Sequence, residues 1–379
     1  MELSPEDALR INVLLAGRLE AVRIDESSMT LHALSGKGEA KVQLNPNCRD
    51  EVYLRCIRET LSSHVLGSPG GYPVYLNRWT RMGQARDEIL ESLLLLGEPE
   101  AVVAVVNASG ITDELARRAW WALQTAENAR CMLRQKAVVD GRMGPVLAEF
   151  LIEFLPFEEE ARDQIASVRL VLQDELIDTQ ERLRLWEKGR SRNAFYVGFL
   201  QALPDDLPVT EAGEHPARGE VYERIAGLVK AGNPYAVQLC RLLSPGGQAF
   251  LVIVEKVIRK PANQDVMVEL LRAISDYFAT LHHGQDKAGD IDTVAGLTDE
   301  LIMQHRGLPG KTGCWLKDLI EALPDGMNYI RATLFLSMIG EAVVNPVFSR
   351  TDAIGSVMRK KLQPVTGPIQ EQIAILRNS

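Results

Sequence analysis

The stretch from Gln84 to Leu155 limits what this chain can fold into more than any other. It reads as short apolar helices laid end to end, each with its own punctuation. ARDEILESLLLLG stops at Gly97, and Pro99 opens PEAVVAVVN. Thr112 precedes DELARRAWWALQ, and Gly144-Pro145 opens VLAEFLIEFL. A glycine just past a helix end and a proline at a first helical position are stop and start signals. Helices this short cannot each bury an apolar face alone, so they must stack on neighbours, as helical-repeat arrays do.

The first 83 residues read differently. Ser4-Pro5-Glu6-Asp7 is a capping arrangement: the Ser4 hydroxyl accepts a backbone N–H, Pro5 presets the first turn and Asp7 reaches back to the cap. A helix to about Gly17 is expected. Two strands follow, around Met29–Leu34 and Ala40–Leu44, joined at Gly36-Lys37-Gly38, with Val22 and Ile24 as a third strand. DEVYLRCIRETLSSHVLG is helical by its Leu54, Ile57, Leu61 and Val65 stripe and stops at Gly67. The expected fold is therefore mainly α: a HEAT/armadillo-like helical-repeat array preceded by a small α+β N-terminal domain with a β-hairpin. The expected divisions are 1–83 for that domain, 84–204 for the repeat region, 205–219 for a linker and 220–379 for a second helical region.

One echo supports a repeat. Leu155-Pro156, Leu203-Pro204 and Leu323-Pro324 each close an apolar helix end. The first interval lies near the period of about 40–47 residues of HEAT and armadillo units, and the second is about two and a half times as long. The competing reading is that Leu-Pro simply terminates helices. Asp205 to Gly219 is rich in proline, glycine and acid and reads as the linker. His283 to Thr298 reads as a long loop, and Arg359-Lys360-Lys361 as a basic turn between two C-terminal helices.

A net charge of −9 argues against a nucleic-acid-binding surface, which needs positive potential. Five cysteines without CxxC spacing fit reduced thiols better than a disulfide framework. The start, MELSPEDALR, lacks the apolar core of a signal peptide, and no apolar run reaches the roughly 20 residues of a membrane span. A cytoplasmic chain without a membrane span is expected.

No catalytic motif is present, and no cofactor or metal is expected. Gly310-Lys311-Thr312 lacks the upstream glycine of a phosphate loop and follows a helix rather than a strand, so it reads as an interhelical turn. His282-His283 with His305, Asp286, Asp290 and Asp292 could gather around one loop, but a solvated acidic loop is the simpler reading. Cys314 is the candidate thiol, because Lys311 and the helix start after Gly313 both favour a thiolate. Cys131 and Cys240 sit on apolar helix faces and read as core. Arg117, Arg118, Trp120 and Trp121, and likewise Trp79 with Arg81, are candidate partner-binding residues, since tryptophan and arginine dominate interface energetics.

The strings GSPGGYPVYLNRWTRMGQARDE, LLLLGEPEAVVAVV, ARRAWWALQTAENAR and FLQALPDDLP resemble the DsrS proteins, which are encoded with the reverse dissimilatory sulfite reductase (dsr) pathway of sulfur-oxidising bacteria. The resemblance covers residues 1 to about 208 best. It implies a setting, cytoplasmic oxidation of stored sulfur, and transfers no activity, cofactor or catalytic residue. Two functions are then expected to compete. One is a non-enzymatic accessory or scaffold protein presenting a helical-repeat surface to a protein partner of the sulfur-oxidation pathway. The alternative is a cysteine-dependent sulfur carrier or sulfurtransferase using Cys314.

Overall fold

The computed structural model describes residues 3–67, 87–209, 212–281, 289–304, 315–350 and 353–377. It is mainly helical, with a small three-stranded antiparallel sheet near the N-terminus. The chain forms two compact units: Met1–Pro156 with Gln173–Ile177, and Phe157–Leu172 with Asp178–Ser379.

In the first unit, helix α1 (Pro5–Leu15) starts as its sequence dictates. Ser4 Oγ accepts the Asp7 N–H at 3.1 Å, and Pro5 occupies the first turn. Asp7 does more than complete the cap. Its fully buried carboxylate accepts the Tyr53 hydroxyl at 2.6 Å and the Asn45 N–H at 3.3 Å. Strands β1 (Leu19–Asp25), β2 (Thr30–Ser35) and β3 (Gly38–Gln43) follow in that spatial order, with Gly36-Lys37 as the hairpin turn. Cross-strand partners place Val22, Ala33 and Ala40, then Ile24, Leu31 and Val42, on one face. That face meets Ile11 and Leu15 of α1 and Tyr53, Ile57 and Leu61 of α2 (Asp50–Leu66) in one core. Helix α2 stops at Gly67, whose φ of 71° suits the left-handed cap that glycine adopts without strain.

Among the described residues six further helices belong to this unit: α3 (Asp87–Leu93), α4 (Pro99–Val106), α5 (Asp113–Ala122), α6 (Ala126–Met132), α7 (Lys136–Val139) and α8 (Met143–Phe154). Thr112 caps α5 by accepting the Leu115 N–H at 3.2 Å. The Asp113 carboxylate in turn accepts the Arg142 and Met143 N–H groups at the start of α8. Helix α5 packs on β1, covering the sheet face opposite α1 and α2, so the sheet and the helices after residue 87 share one unit.

The second unit holds α9 (Ala161–Val171), α10 (Thr179–Lys188), α11 (Ala194–Ala202), α12 (Arg218–Lys230), α13 (Pro234–Leu243) and α14 (Pro245–Arg259). After these come α15 (Gln264–Tyr277), α16 (Ile291–Gln304), α17 (Trp315–Ala322), α18 (Met327–Ser337), α19 (Asn345–Phe348) and α20 (Gly355–Arg377). Leu203 and Leu323 each follow the last residue of a helix, as the Leu-Pro pattern requires. Three expectations change. The described part of 205–219 is packed rather than free: Leu207 and His215 are buried, and Asp205 accepts hydrogen bonds from Arg241 and Tyr277. Residues 291–298, expected as loop, are helical because Asp290 caps α16 and Val294 and Thr298 are buried. Arg359-Lys360-Lys361 lies within α20, which continues through Pro364 and Pro368. Each interior proline costs about 3 kcal/mol. Six buried side chains at helical spacing (Met358, Leu362, Val365, Ile369, Ile373 and Leu376) each return about 1.5–3 kcal/mol and outweigh that cost.

Candidate functional site

The arginine–tryptophan cluster of α5 is the first candidate that the structure places, and its guanidinium groups are engaged by neighbouring carboxylates. Trp120 is buried, edge-on to Phe150 with centroids 4.7 Å apart. Trp121 is half-buried beneath Arg23, whose guanidinium sits 4.8 Å from the ring centre and donates to the Trp121 carbonyl at 3.3 Å. Arg117 donates to Glu20 on β1 at 2.5 Å and to Glu114 at 2.7 Å, and Arg118 donates to Glu114 at 2.8 Å. Arg117 and Trp121 therefore form a seam between α5 and β1, while Trp120 packs on α8 and Arg118 pairs with Glu114 and with Glu91 of α3. Glu39 extends the seam: His32 Nδ1 lies 2.7 Å away, and that contact and Trp121 hold its carboxyl below the usual range.

The Arg117 and Arg118 guanidinium groups hold the Glu114 carboxyl down at about 2. Because its folded pKa is depressed, its contribution to stability is complete above the ordinary value near 4.5 and is lost as pH falls toward 2. Glu114 is half exposed, so solvent screening keeps the contribution below about 1 kcal/mol. Glu114→Gln should therefore lower the urea midpoint slightly at pH 7 and leave it unchanged near pH 2. Equal losses at both pH values would show that the seam is not ionic.

Two of the described thiols are shielded. Burial pushes the Cys131 and Cys240 thiols up, away from the nucleophilic thiolate. Asp290, a candidate for the acidic loop, is occupied as a helix cap, accepting from the Thr293 N–H at 2.8 Å and hydroxyl at 2.7 Å. Among the described residues no three His, Cys, Asp or Glu side chains converge for a metal. Cys314, Gly310-Lys311-Thr312, Trp79, Arg81, His282, His283, His305 and Asp286 lie outside the described residues.

The larger feature was not anticipated from the sequence. A groove of about 960 Å³ runs between α1 and β3 in the first unit. Helix α1 turns Asp7, Ile11 and Leu15 into the core, leaving Leu9 and Val13 on another face at 65% and 67% exposure. They form one apolar wall, and Ala40 and Val42 of β3 line the groove opposite. Arg10, Arg18, Lys37 and Lys41 also line it, and no carboxylate does. A signal was present: ALRINVLL carries more apolar residues than one helix face can bury. That the facing wall is an edge strand was not legible.

Among the described residues no single helix is long and apolar enough to cross a membrane. No family model, no curated protein and no solved structure matches the chain.

Proposed function

We propose that the chain is a non-enzymatic accessory or scaffold protein that binds a protein partner, and that it serves cytoplasmic dissimilatory sulfur oxidation. The observation that carries the binding role is the groove between α1 and β3. Two large apolar side chains are held in solvent there beside four cations, on a chain whose net charge is −9. Exposed apolar surface rimmed by polar groups is the physical signature of an interaction site. The sulfur setting rests on the resemblance of residues 1–208 to the DsrS proteins. A HEAT/armadillo-like arrangement is part of the same reading. It is supported by the succession of short capped helices and by the packing of α9 on α11, α12 on α13 and α14 on α15.

Native mass spectrometry of the protein isolated from sulfur-oxidising cells tests this. A stoichiometric complex with a protein of the sulfur-oxidation pathway is the expected result. The bare chain mass in every preparation would overturn the accessory role. An added sulfur mapping to Cys314 would replace it with a sulfur-relay reading.

A further inference from the structure

The wall of the groove opposite α1 is an edge strand. Among the described residues β3 pairs only with β2, whereas the outer edge of β1 is engaged where the Val22 N–H donates to the Leu94 carbonyl at 2.8 Å. The ladder shows which groups of β3 are free. Leu44 N–H donates to Met29 O at 2.8 Å, and bonded pairs alternate in an antiparallel ladder. Val42 with Leu31 and Ala40 with Ala33 are then the bonded pairs, which turns the N–H and C=O groups of Glu39, Lys41 and Gln43 outward. Side chains alternate between faces, so Ala40 and Val42 face the α1 side; of the polar row, Lys41 and Gln43 reach the rim of the groove, while Glu39 turns to His32.

We propose that the groove binds an extended acidic segment of a partner protein, which adds to β3 as a fourth strand and lies alongside α1. The proposal rests on the accessory reading above. Backbone groups of the incoming strand would pair with Glu39, Lys41 and Gln43, the mode in which main-chain bonds supply affinity and alternate side chains supply specificity. Every second side chain then falls between Leu9 and Val13 on one wall and Ala40 and Val42 on the other. Small branched residues such as valine fit there. Arg10 is partly neutralised by Glu6 and Asp7, and Lys41 lies 3.9 Å from Glu39, while Arg18 and Lys37 have no ion-pair partner among the described residues. Carboxylates on the partner therefore meet uncompensated positive charge. Lys37 and Lys41 beside this edge work against its pairing with a second copy of this chain, except in the register that sets Glu39 opposite Lys41. Lysine on an edge strand is a common guard against such self-pairing.

The test uses the full chain and a fluorescein-labelled heptapeptide alternating glutamate and valine, read by fluorescence anisotropy. Saturable binding is expected, weakened at least tenfold by Val13→Asp, by Lys37→Glu with Lys41→Glu, and by raising salt from about 0.05 to 0.5 M. Val13 is exposed, so its substitution leaves the core intact. Two further peptides, N-methylated on opposite alternate amides, probe the backbone pairing. One should lose at least tenfold and the other should bind normally, because only one register faces β3. Equal affinity of the two overturns strand addition. A lysine–valine peptide that binds as tightly overturns the acidic preference. A concentration-dependent dimer abolished by Val13→Asp assigns the groove to a second copy and overturns the proposal. If the peptides fail while native mass spectrometry still shows a bound partner, the strand-addition proposal falls and the accessory role stands. Peptide binding by a chain that carries no partner in cells gives the converse result.

Discussion

Gly247→Ala is expected to lower the melting temperature of the second unit by about 6–12 °C, the largest effect of a single added methyl group among the described glycines. Gly247 sits where α13 gives way to α14 with a 74° bend through Ser244 alone. Ser244 ends one helix and caps the next by accepting the Gly247 N–H at 3.2 Å. With so short a connection, an added Cβ meets the Arg241 carbonyl oxygen well inside contact distance, and lies 2.6 Å from the Leu242 Cα and carbonyl oxygen. These are backbone atoms in a helix and have nowhere to go. Overpacking of this kind costs about 3 kcal/mol, and each kcal/mol moves the midpoint of a unit this size by about 2–4 °C. Gly227→Ala in α12 is the control, because nothing lies within 4 Å of its added Cβ. There the helix should be stabilised by up to about 1 kcal/mol. Circular dichroism melts of the two variants should move in opposite directions, and an unchanged melt for Gly247→Ala would mean that the bend can open.

Asp7→Ala should cost the first unit about 3 kcal/mol. The lost carboxylate leaves the buried Tyr53 hydroxyl without its 2.6 Å acceptor and removes the acceptor of the Asn45 N–H. Asp7→Asn keeps one acceptor oxygen and should cost distinctly less. Burial alone would push the Asp7 carboxyl up, but hydrogen bonds from Tyr53, Ser4 and Asn45 outweigh it and hold the group below its ordinary range. The sign follows: its stabilisation is complete above the ordinary value near 3.9 and disappears as pH falls through the depressed folded value. Urea midpoints of wild type and Asp7→Ala should therefore differ at pH 7 and converge at the acid end. A constant gap would show that lost packing, not the charge, accounts for the cost. Because Asp7 ties α1 to the residues just after β3, the variant should also weaken peptide capture in the groove.

What could be read from the residues was local chemistry. Ser4, Thr112, Asn233 and Ser244 each accept a backbone N–H from the first turn that follows, and Pro5, Pro99, Pro234 and Pro245 open helices. The hairpin was equally legible, since Gly36-Lys37 and the alternation around it specify both turn and register. Where long-range packing decides, the chain misleads. DIDTVAGLT looks like loop, yet burial of Val294 and Thr298 makes it helix. Two prolines look like a break in α20, yet its apolar stripe carries the helix through both. Arg117 looks like part of a docking patch because Glu20, which joins Glu114 in holding it, is nearly a hundred residues away in sequence and reaches it only after β1 meets α5. The groove was hidden for the same reason, since α1 and β3 become two walls only when the core draws them together.

The path of the chain through its two units has a consequence for how the protein can be divided or inherited. After Pro156 the chain leaves the first unit, and it returns for Gln173–Ile177 before leaving for good. The returning residues are well held. Gln173 Nε2 donates to the Leu133 carbonyl at 3.1 Å, Asp174 lies 3.7 Å from the Lys136 ammonium, and Leu176 packs against Gly144, where an added Cβ would lie 2.9 Å from its Cδ2. Neither unit is therefore a contiguous stretch of gene. A crossover or fusion junction placed anywhere between residues 157 and 177 would strip the first unit of its clasp or the second of α9. The pair must pass through evolution as a single piece of coding sequence, and no one junction inside that window yields two whole modules.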